Sequence, residues 1–174
     1  VNLGRIAGAK RTPAGEVLLR ANALAWRDAL GVPRLDSVSV DLRAGEIVGI
    51  AGVSGNGQSE LLDALAGLLV PQSGSLQIGT EAFTPSHWLT PSHARELRIA
   101  HVPEDRQKRG LVMSFDAWES SVLGYQERPR YSSTGGWLKS KTMRDDCAQM
   151  MEQYDVRPRA CDLRSSKFSG GNQQ

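Results

Sequence analysis

The chain has 174 residues, enough for one ordinary domain with a real core, and its 40% apolar and 23% charged content is that of a globular protein. A formal net charge of +2 is too small to argue for nucleic acid or an anionic membrane, and the few aromatics do not interleave with basic residues as a base-stacking platform would. No apolar run approaches the roughly 20 residues that span a bilayer, so direct membrane insertion is not expected. Cys147 and Cys161 form no disulfide framework and read as reduced cytosolic thiols.

Residues 1–16 mix Gly, Pro and basic residues without periodicity and read as a linker or mobile end. A strand can start at Val17–Leu19. "LDSVSVDL" (Leu35–Leu42) alternates at Val38, Val40 and Leu42, as a half-buried strand does, and "AGE" (Ala44–Glu46) is a tight turn. "IVGIAG" (Ile47–Gly52) is short and almost wholly apolar, which predicts a strand in the buried middle of a parallel sheet.

From Ser59 the period changes to about 3.6. Leu61, Leu62, Leu65, Leu68 and Leu69 fall on one helical face, and Pro71 is the expected stop. "GSLQIG" (Gly74–Gly79) predicts a strand. "PSHARELRIAHVPEDR" predicts a short helix and then a strand at Ile99–Val102. Helices are expected near Asp116–Leu123 and over Lys141–Tyr154, where Met143, Cys147, Met150, Met151 and Tyr154 recur at helical spacing, with a Gly/Ser-rich break at "YSSTGG" between them.

The stretch "GIAGVSGNGQSELL" carries the chemistry. A strand, a glycine-rich turn and a helix make a phosphate-binding loop: glycines let successive N–H groups point inward as a cradle, and the helix start adds its positive end. Gly52, Gly55 and Gly57 supply the cradle, and Ser59 sits where a hydroxyl would ligate Mg²⁺. A dinucleotide fingerprint fails, because Gly55-Asn56-Gly57 would need a glycine where Glu60 stands. A plain glycine turn without a ligand is the competing reading. Gln58 occupies the position of the usual lysine. Losing one charge-assisted hydrogen bond of about 1.5–3 kcal/mol weakens nucleotide binding roughly ten- to a hundred-fold. Gln58 donates a neutral bond but cannot neutralise a transferring phosphate.

"KFSGGNQQ" (Lys167–Gln174) decides the matter. Ser169, Gly170 and Gly171 expose a hydroxyl and bare amides at an expected helix start. In this order and separation, "VSGNGQSE" resembles the Walker A loop and "FSGGN" the signature motif of ATP-binding-cassette (ABC) nucleotide-binding domains. "VPEDRQKRGLV" (Val102–Val112) falls at the family's Q-loop, with Glu104 in place of glutamine. "GNGQSEL", "VPEDR" and "SGGNQQ" together look like the second cassette of tandem bacterial ATPases serving nucleoside and simple-sugar importers. The resemblance runs from about Val17 onward.

The resemblance implies the ABC α/β fold of the P-loop NTPase type. Residues 17–114 would hold an antiparallel β-subdomain and a partial parallel core, and 115–174 a helical subdomain ending at the signature. It implies that Gly52, Ser54, Gly55, Asn56, Gly57, Gln58, Ser59 and Glu60 line the phosphates of ATP, with Ser59 on Mg²⁺. Glu104 would stand at the Q-loop position, Ser169, Gly170 and Gly171 would face a nucleotide held by an opposing cassette, and Trp26 would stack on adenine, against a plain packing role in a half-buried strand. The implied partners are a second cassette, expected in the same polypeptide, and transmembrane permease subunits, at the inner face of the cell membrane.

Gln58 and Glu60 mark a degenerate site. Walker B, its catalytic glutamate and the switch histidine would follow the signature, so this chain alone is not expected to hydrolyse ATP. A core without a Walker B strand should be fragile or rearranged, with unpaired strand edges. His87, His93 and His101 precede the signature and read as surface or satisfied residues rather than metal ligands. A non-hydrolytic regulatory module of the same fold is the alternative. A P-loop small-molecule kinase leaves "FSGGN" and "VPEDR" unexplained.

Overall fold

The computed structural model describes residues 15–173, so most of the expected linker and Gln174 lie outside the described residues. Within them the chain divides into two compact units, the first ending at Ala100 and the second beginning at His101.

The first unit is built on a four-stranded antiparallel sheet of order β2-β1-β3-β4, comprising β1 (Val17–Arg27), β2 (Pro33–Arg43), β3 (Ser73–Ile78) and β4 (Glu81–Phe83). The hairpin between β1 and β2 is fixed by Asp28, whose Oδ1 accepts the N–H groups of Leu30 at 2.9 Å and Val32 at 3.0 Å. A side-chain oxygen satisfying nearby turn amides is why aspartate favours such turns. Alternation along β1 sends Leu19 and Ala21 to one face, and the bulge at Ala23, with φ +49°, brings Leu24 into the same core, where they pack with Leu35, Leu76, Ile78 and Phe83.

Helix α1 (Gln58–Leu65) lays Leu61, Ala64 and Leu65 into this core, and Trp88 closes it with its indole N–H donating to the Ala64 carbonyl at 3.2 Å. The helix ends earlier than Pro71. Leu68 N–H returns to the Asp63 carbonyl and Gly67 N–H to that of Ala64, with Gly67 at φ +77°. That pair of bonds is a Schellman cap, which a left-handed glycine permits at once. Leu68 and Leu69 therefore fall outside the helix, and Leu62 is exposed. Helix α2 (Pro91–Glu96) begins at Thr90, whose Oγ1 accepts His93 N–H at 3.2 Å.

Two expected strands do not form. Ile47–Gly52 and Ile99–Val102 belong to no ladder, and Ile47 is 99% exposed. A parallel strand exists only through hydrogen bonds to neighbours. Strands β1–β4 pair among themselves, with β2 and β4 as edges, and no described strand runs beside either segment. The described sheet holds no parallel pair.

The second unit contains α3 (Arg106–Arg109), α4 (Ala117–Ser121), α5 (Ser140–Gln153) and a 3₁₀ turn at Ser165–Lys167. Asp116 and Glu119 form a capping box at the start of α4. Helix α5 buries Met143, Cys147 and Met151; Tyr154 at its end stays exposed. Cys147 and Met151 join Phe168, with Trp118, Val156 and Leu163 packed against them. The "YSSTGG" break is a tight turn in which Ser133 and Trp137 are joined by a backbone bond of 3.0 Å. Arg130 clamps Asp146 through both carboxylate oxygens, which pins this excursion to α5 and holds the Asp146 carboxyl below its usual range.

Candidate functional site

The glycine-rich loop is exposed from Gly52 to Asn56 and enters α1 through Gly57, the N-cap, at φ +96°. Gly57 offers no side-chain cap, so Gln58, Ser59 and Glu60 present first-turn amides without intrahelical acceptors. Leu61 N–H is the first to close, on the Gly57 carbonyl at 2.9 Å. Gly55 is also left-handed, at φ +88°. The chain thus turns twice through conformations other residues avoid, and Asn56 N–H closes a turn on the Val53 carbonyl at 3.2 Å.

Behind the loop stands Arg34. Its Nη1 donates to the Gly55 carbonyl at 2.7 Å and its Nε to Asp28 Oδ2 at 3.0 Å. Gly57 packs so closely on the β2 backbone that a Cβ there would collide with the Arg34 carbonyl oxygen. Burial alone would raise the Asp28 carboxyl, but the Val32 N–H, Arg34 and the Leu30 N–H outweigh it and hold the group below its usual range.

The Gln58 side chain folds over its own loop. Its Nε2 donates to the Val53 carbonyl at 3.2 Å, and a Cβ on Gly52 would meet that amide. Glu60 puts a carboxylate in the first turn, where the helix dipole favours negative charge. The loop therefore fits an anion through its amides and its positive helix end, while Glu60 opposes the anion and no lysine offsets it. Trp26 is half-buried against the sheet core, paired in register with Leu35.

The second unit holds the other candidates. Glu104 is exposed at the bend before α3, where Asp105 Oδ1 caps the helix by accepting Lys108 N–H at 3.1 Å. Ser169 opens a single helical turn: its carbonyl accepts Asn172 N–H at 2.9 Å and Gln173 N–H at 3.0 Å, and its Oγ accepts Asn172 Nδ2 at 2.9 Å. Gly170 and Gly171 are exposed. The fold brings this turn to the Glu104 segment, because an Arg106 guanidinium nitrogen would lie 3.2 Å from a Cβ on Gly170 and Gln107 Nε2 lies 3.5 Å from Gln173 Oε1.

Arg34, Asp28 and Arg106 contact or brace the candidate segments, and motif reading passes over them. Only Asp28 carried a signal, as the opening of an Asp-x-x-Gly turn. His93 Nε2 lies 3.0 Å from Glu81 Oε2 and its ring meets Phe83 edge-on. No helix among the described residues is long and apolar enough to cross a membrane.

A glycine cradle opening a helix that packs on a β-sheet, followed by a serine–glycine turn on a separate helical unit, defines a P-loop nucleotide-binding cassette. The chain belongs to the ABC transporter family, whose model matches residues 35–174. The nucleoside import ATP-binding protein NupA of Lactococcus lactis subsp. cremoris is 36% identical over 159 residues, which is 91% of this chain and 31% of that protein. The guanosine import ATP-binding protein NupO of Bacillus subtilis is 38% identical over 161 residues, 92% of this chain and 31% of that protein. The chain thus spans about a third of the length of these curated relatives. Among solved structures, the ATP-binding cassette MJ0796 in a dimeric post-hydrolysis state with ADP and Pi superposes with a TM-score of 0.68 at 20% identity, covering 89% of this chain and 65% of that one. A nucleotide-free cassette from an ABC transporter gives 0.67 at 16% identity, covering 91% and 61%. At such identity the likeness shows the fold, which is that of the ABC cassettes.

Proposed function

We propose that this chain is part of an ATP-binding cassette of a bacterial nucleoside or simple-sugar importer, holding nucleotide rather than cleaving it at the 52–60 loop. The observation that carries the reading is the loop itself: a glycine-entered helix start whose Gln58, Ser59 and Glu60 amides have no side-chain cap, with Gln58 and Glu60 where cationic and hydroxyl groups would serve hydrolysis. The relatives named for nucleoside import support the transport class.

MgATP would lie on the first-turn amides of α1, with the Ser59 hydroxyl at the metal. Bound Mg²⁺ would supply charge neutralisation between phosphates. Ser169, Gly170 and Gly171 would face a nucleotide on a second cassette, and closure of the pair would drive transmembrane permease subunits from the cytoplasmic side of the membrane. Glu104, beside the segment that touches the Gly170 turn, would relay between the nucleotide and the permease.

A purely regulatory module of the same fold is favoured by one observation: the Gln58 amide already lies on Gly52 and Val53, where incoming phosphate would need room. Calorimetry with MgATP separates the two. Binding by the wild-type chain, tightened in Gln58→Lys, supports the nucleotide reading. Absence of heat from both proteins, with their circular dichroism intact, sinks it.

A further inference from the structure

Both cysteines lie in the second unit and belong to one apolar cluster beside α5. Cys147 sits on its buried face, with Met151 one turn further on. Cys161, on the stretch that follows the helix, is held over the same side. Its Sγ lies 3.7 Å from the Arg144 carbonyl and 4.0 Å from Met151 Sδ, and it packs against the cluster that Cys147 forms with Met151 and Phe168. The two sulfurs differ in access. Cys161 is half-buried and lines an open cleft of about 600 Å³ with Arg144, Asp145 and Ala148. Cys147 is 2% exposed and borders a separate, mostly apolar cavity of about 260 Å³ with Met150, Met151 and Phe168.

From this juxtaposition we infer that Cys147 and Cys161 form an oxidative modification site, closing to a reversible intramolecular disulfide with hydrogen peroxide as oxidant. The Cys161 thiolate attacks the peroxide, breaks its O–O bond and becomes a sulfenic acid; the released hydroxide takes a proton and leaves as water. The Cys147 sulfur then attacks the sulfenic sulfur, and its proton departs with the hydroxyl as a second water. Two thiols lose two electrons and one peroxide gains them.

The geometry assigns the order of events. Only Cys161 meets solvent, so it meets the oxidant. Burial, helped by the Cys161 contact, pushes the Cys147 thiol up to about 12, so the closing step limits the rate and quickens as pH rises. The same disfavoured thiolate is a poor leaving group, so the bond resists reduction once formed.

The bond would fasten the approach to the Ser169 turn. The Cys161 carbonyl accepts Trp118 N–H at 3.1 Å and the Leu163 carbonyl accepts Ala117 N–H at 2.9 Å. Ser165, further along, bonds its Oγ to that of Ser120 at 2.7 Å. Linking Cys161 to α5 therefore ties α4, α5 and the segment entering Ser169 into one body.

The test treats the reduced full chain with hydrogen peroxide, unfolds it, blocks free thiols with N-ethylmaleimide and reads mass and peptides. The expected product is monomeric, about 2 Da lighter, unblocked, and yields one Cys147–Cys161 peptide that dithiothreitol opens. Cys147→Ser should stop at a Cys161 sulfenic acid that dimedone traps, and Cys161→Ser should leave Cys147 blockable. Amide exchange over 159–168 should slow on oxidation. Cys161 over-oxidised, or paired between two molecules, while Cys147 still takes the blocking reagent in the wild-type chain, would overturn the inference. None of these readouts requires nucleotide, so the result stands apart from the proposed function.

Discussion

Arg34 on β2 and Gly55 in the glycine-rich loop are joined by a 2.7 Å hydrogen bond from guanidinium to carbonyl, while the same guanidinium holds Asp28 in the β1–β2 hairpin. The hairpin turn thereby braces the loop. A donor on a loop carbonyl polarises that peptide and fixes the direction of the amide that follows, here Asn56. Arg34→Gln should loosen the loop and weaken MgATP binding about five-fold, near 1 kcal/mol, because a third of the side chain is exposed and its charge-assisted bonds are screened. Arg34→Lys should fare little better, since an ammonium cannot bridge both acceptors as a fork does. Unchanged affinity and unchanged amide exchange at 54–57 would show the brace to be idle.

Charge at the loop should set affinity. Gln58→Lys is expected to tighten MgATP binding by about ten-fold or more. Glu60→Thr removes an anion from the helix start and should tighten it further, by a few-fold at about 0.3–1 kcal/mol. Both gains should shrink with added salt. Titration calorimetry at two ionic strengths checks all three statements.

The two left-handed glycines should respond differently to alanine. At Gly55 a Cβ meets nothing within 4 Å, so Gly55→Ala costs only the backbone strain of about 1–2 kcal/mol. At Gly57 the same strain is joined by collision with the Arg34 carbonyl oxygen, which neither β2 nor the helix start can relieve cheaply. Gly57→Ala should lose more stability and abolish nucleotide binding. Equal melting temperatures for the two variants would refute this ranking.

Acid should release the brace late. Asp28 is held below its usual range, so its contribution is fully present above the ordinary carboxylate pKa and is lost only as pH falls through the depressed value. Loop amide protection should therefore persist near the pH where free carboxylates titrate and fail in stronger acid. Asp28→Asn should flatten that dependence, which hydrogen exchange across an acid series would reveal.

Leu76, fully buried between β1 and β4, should be among the most sensitive apolar positions of the first unit. Leu76→Ala is expected to cost about 2–5 kcal/mol, whereas Leu62→Ala, on the exposed side of α1, should cost well under 1 kcal/mol. Denaturant melts would expose any reversal of that order.

Much of the first unit was legible in the pattern of residues. Alternation at Val38, Val40 and Leu42 marked β2, and the leucine spacing marked α1, because a half-buried element advertises its own period. The end of α1 was misplaced since Pro71 is a visible stop, whereas the Schellman cap at Gly67 depends on how Asp63 and Ala64 carbonyls are met in three dimensions. Ile47–Gly52 shows the opposite failure. Its composition suits a buried strand, but composition cannot supply a neighbour, and among the described residues none is present.

By itself the sequence determined the composition of the loop: where its glycines fall, that Gln58 and Glu60 open the helix after it, and that a serine–glycine stretch follows far along the chain. These depend on residue identity and short spacing, which local sterics enforce. The tertiary structure alone decided that Arg34 stands behind Gly55, that Arg106 lies against Gly170, and that Cys161 returns to Cys147. Each joins residues whose separation along the chain is bridged only when packing of the sheet or of α4 and α5 outweighs the entropy of closing the loop between them.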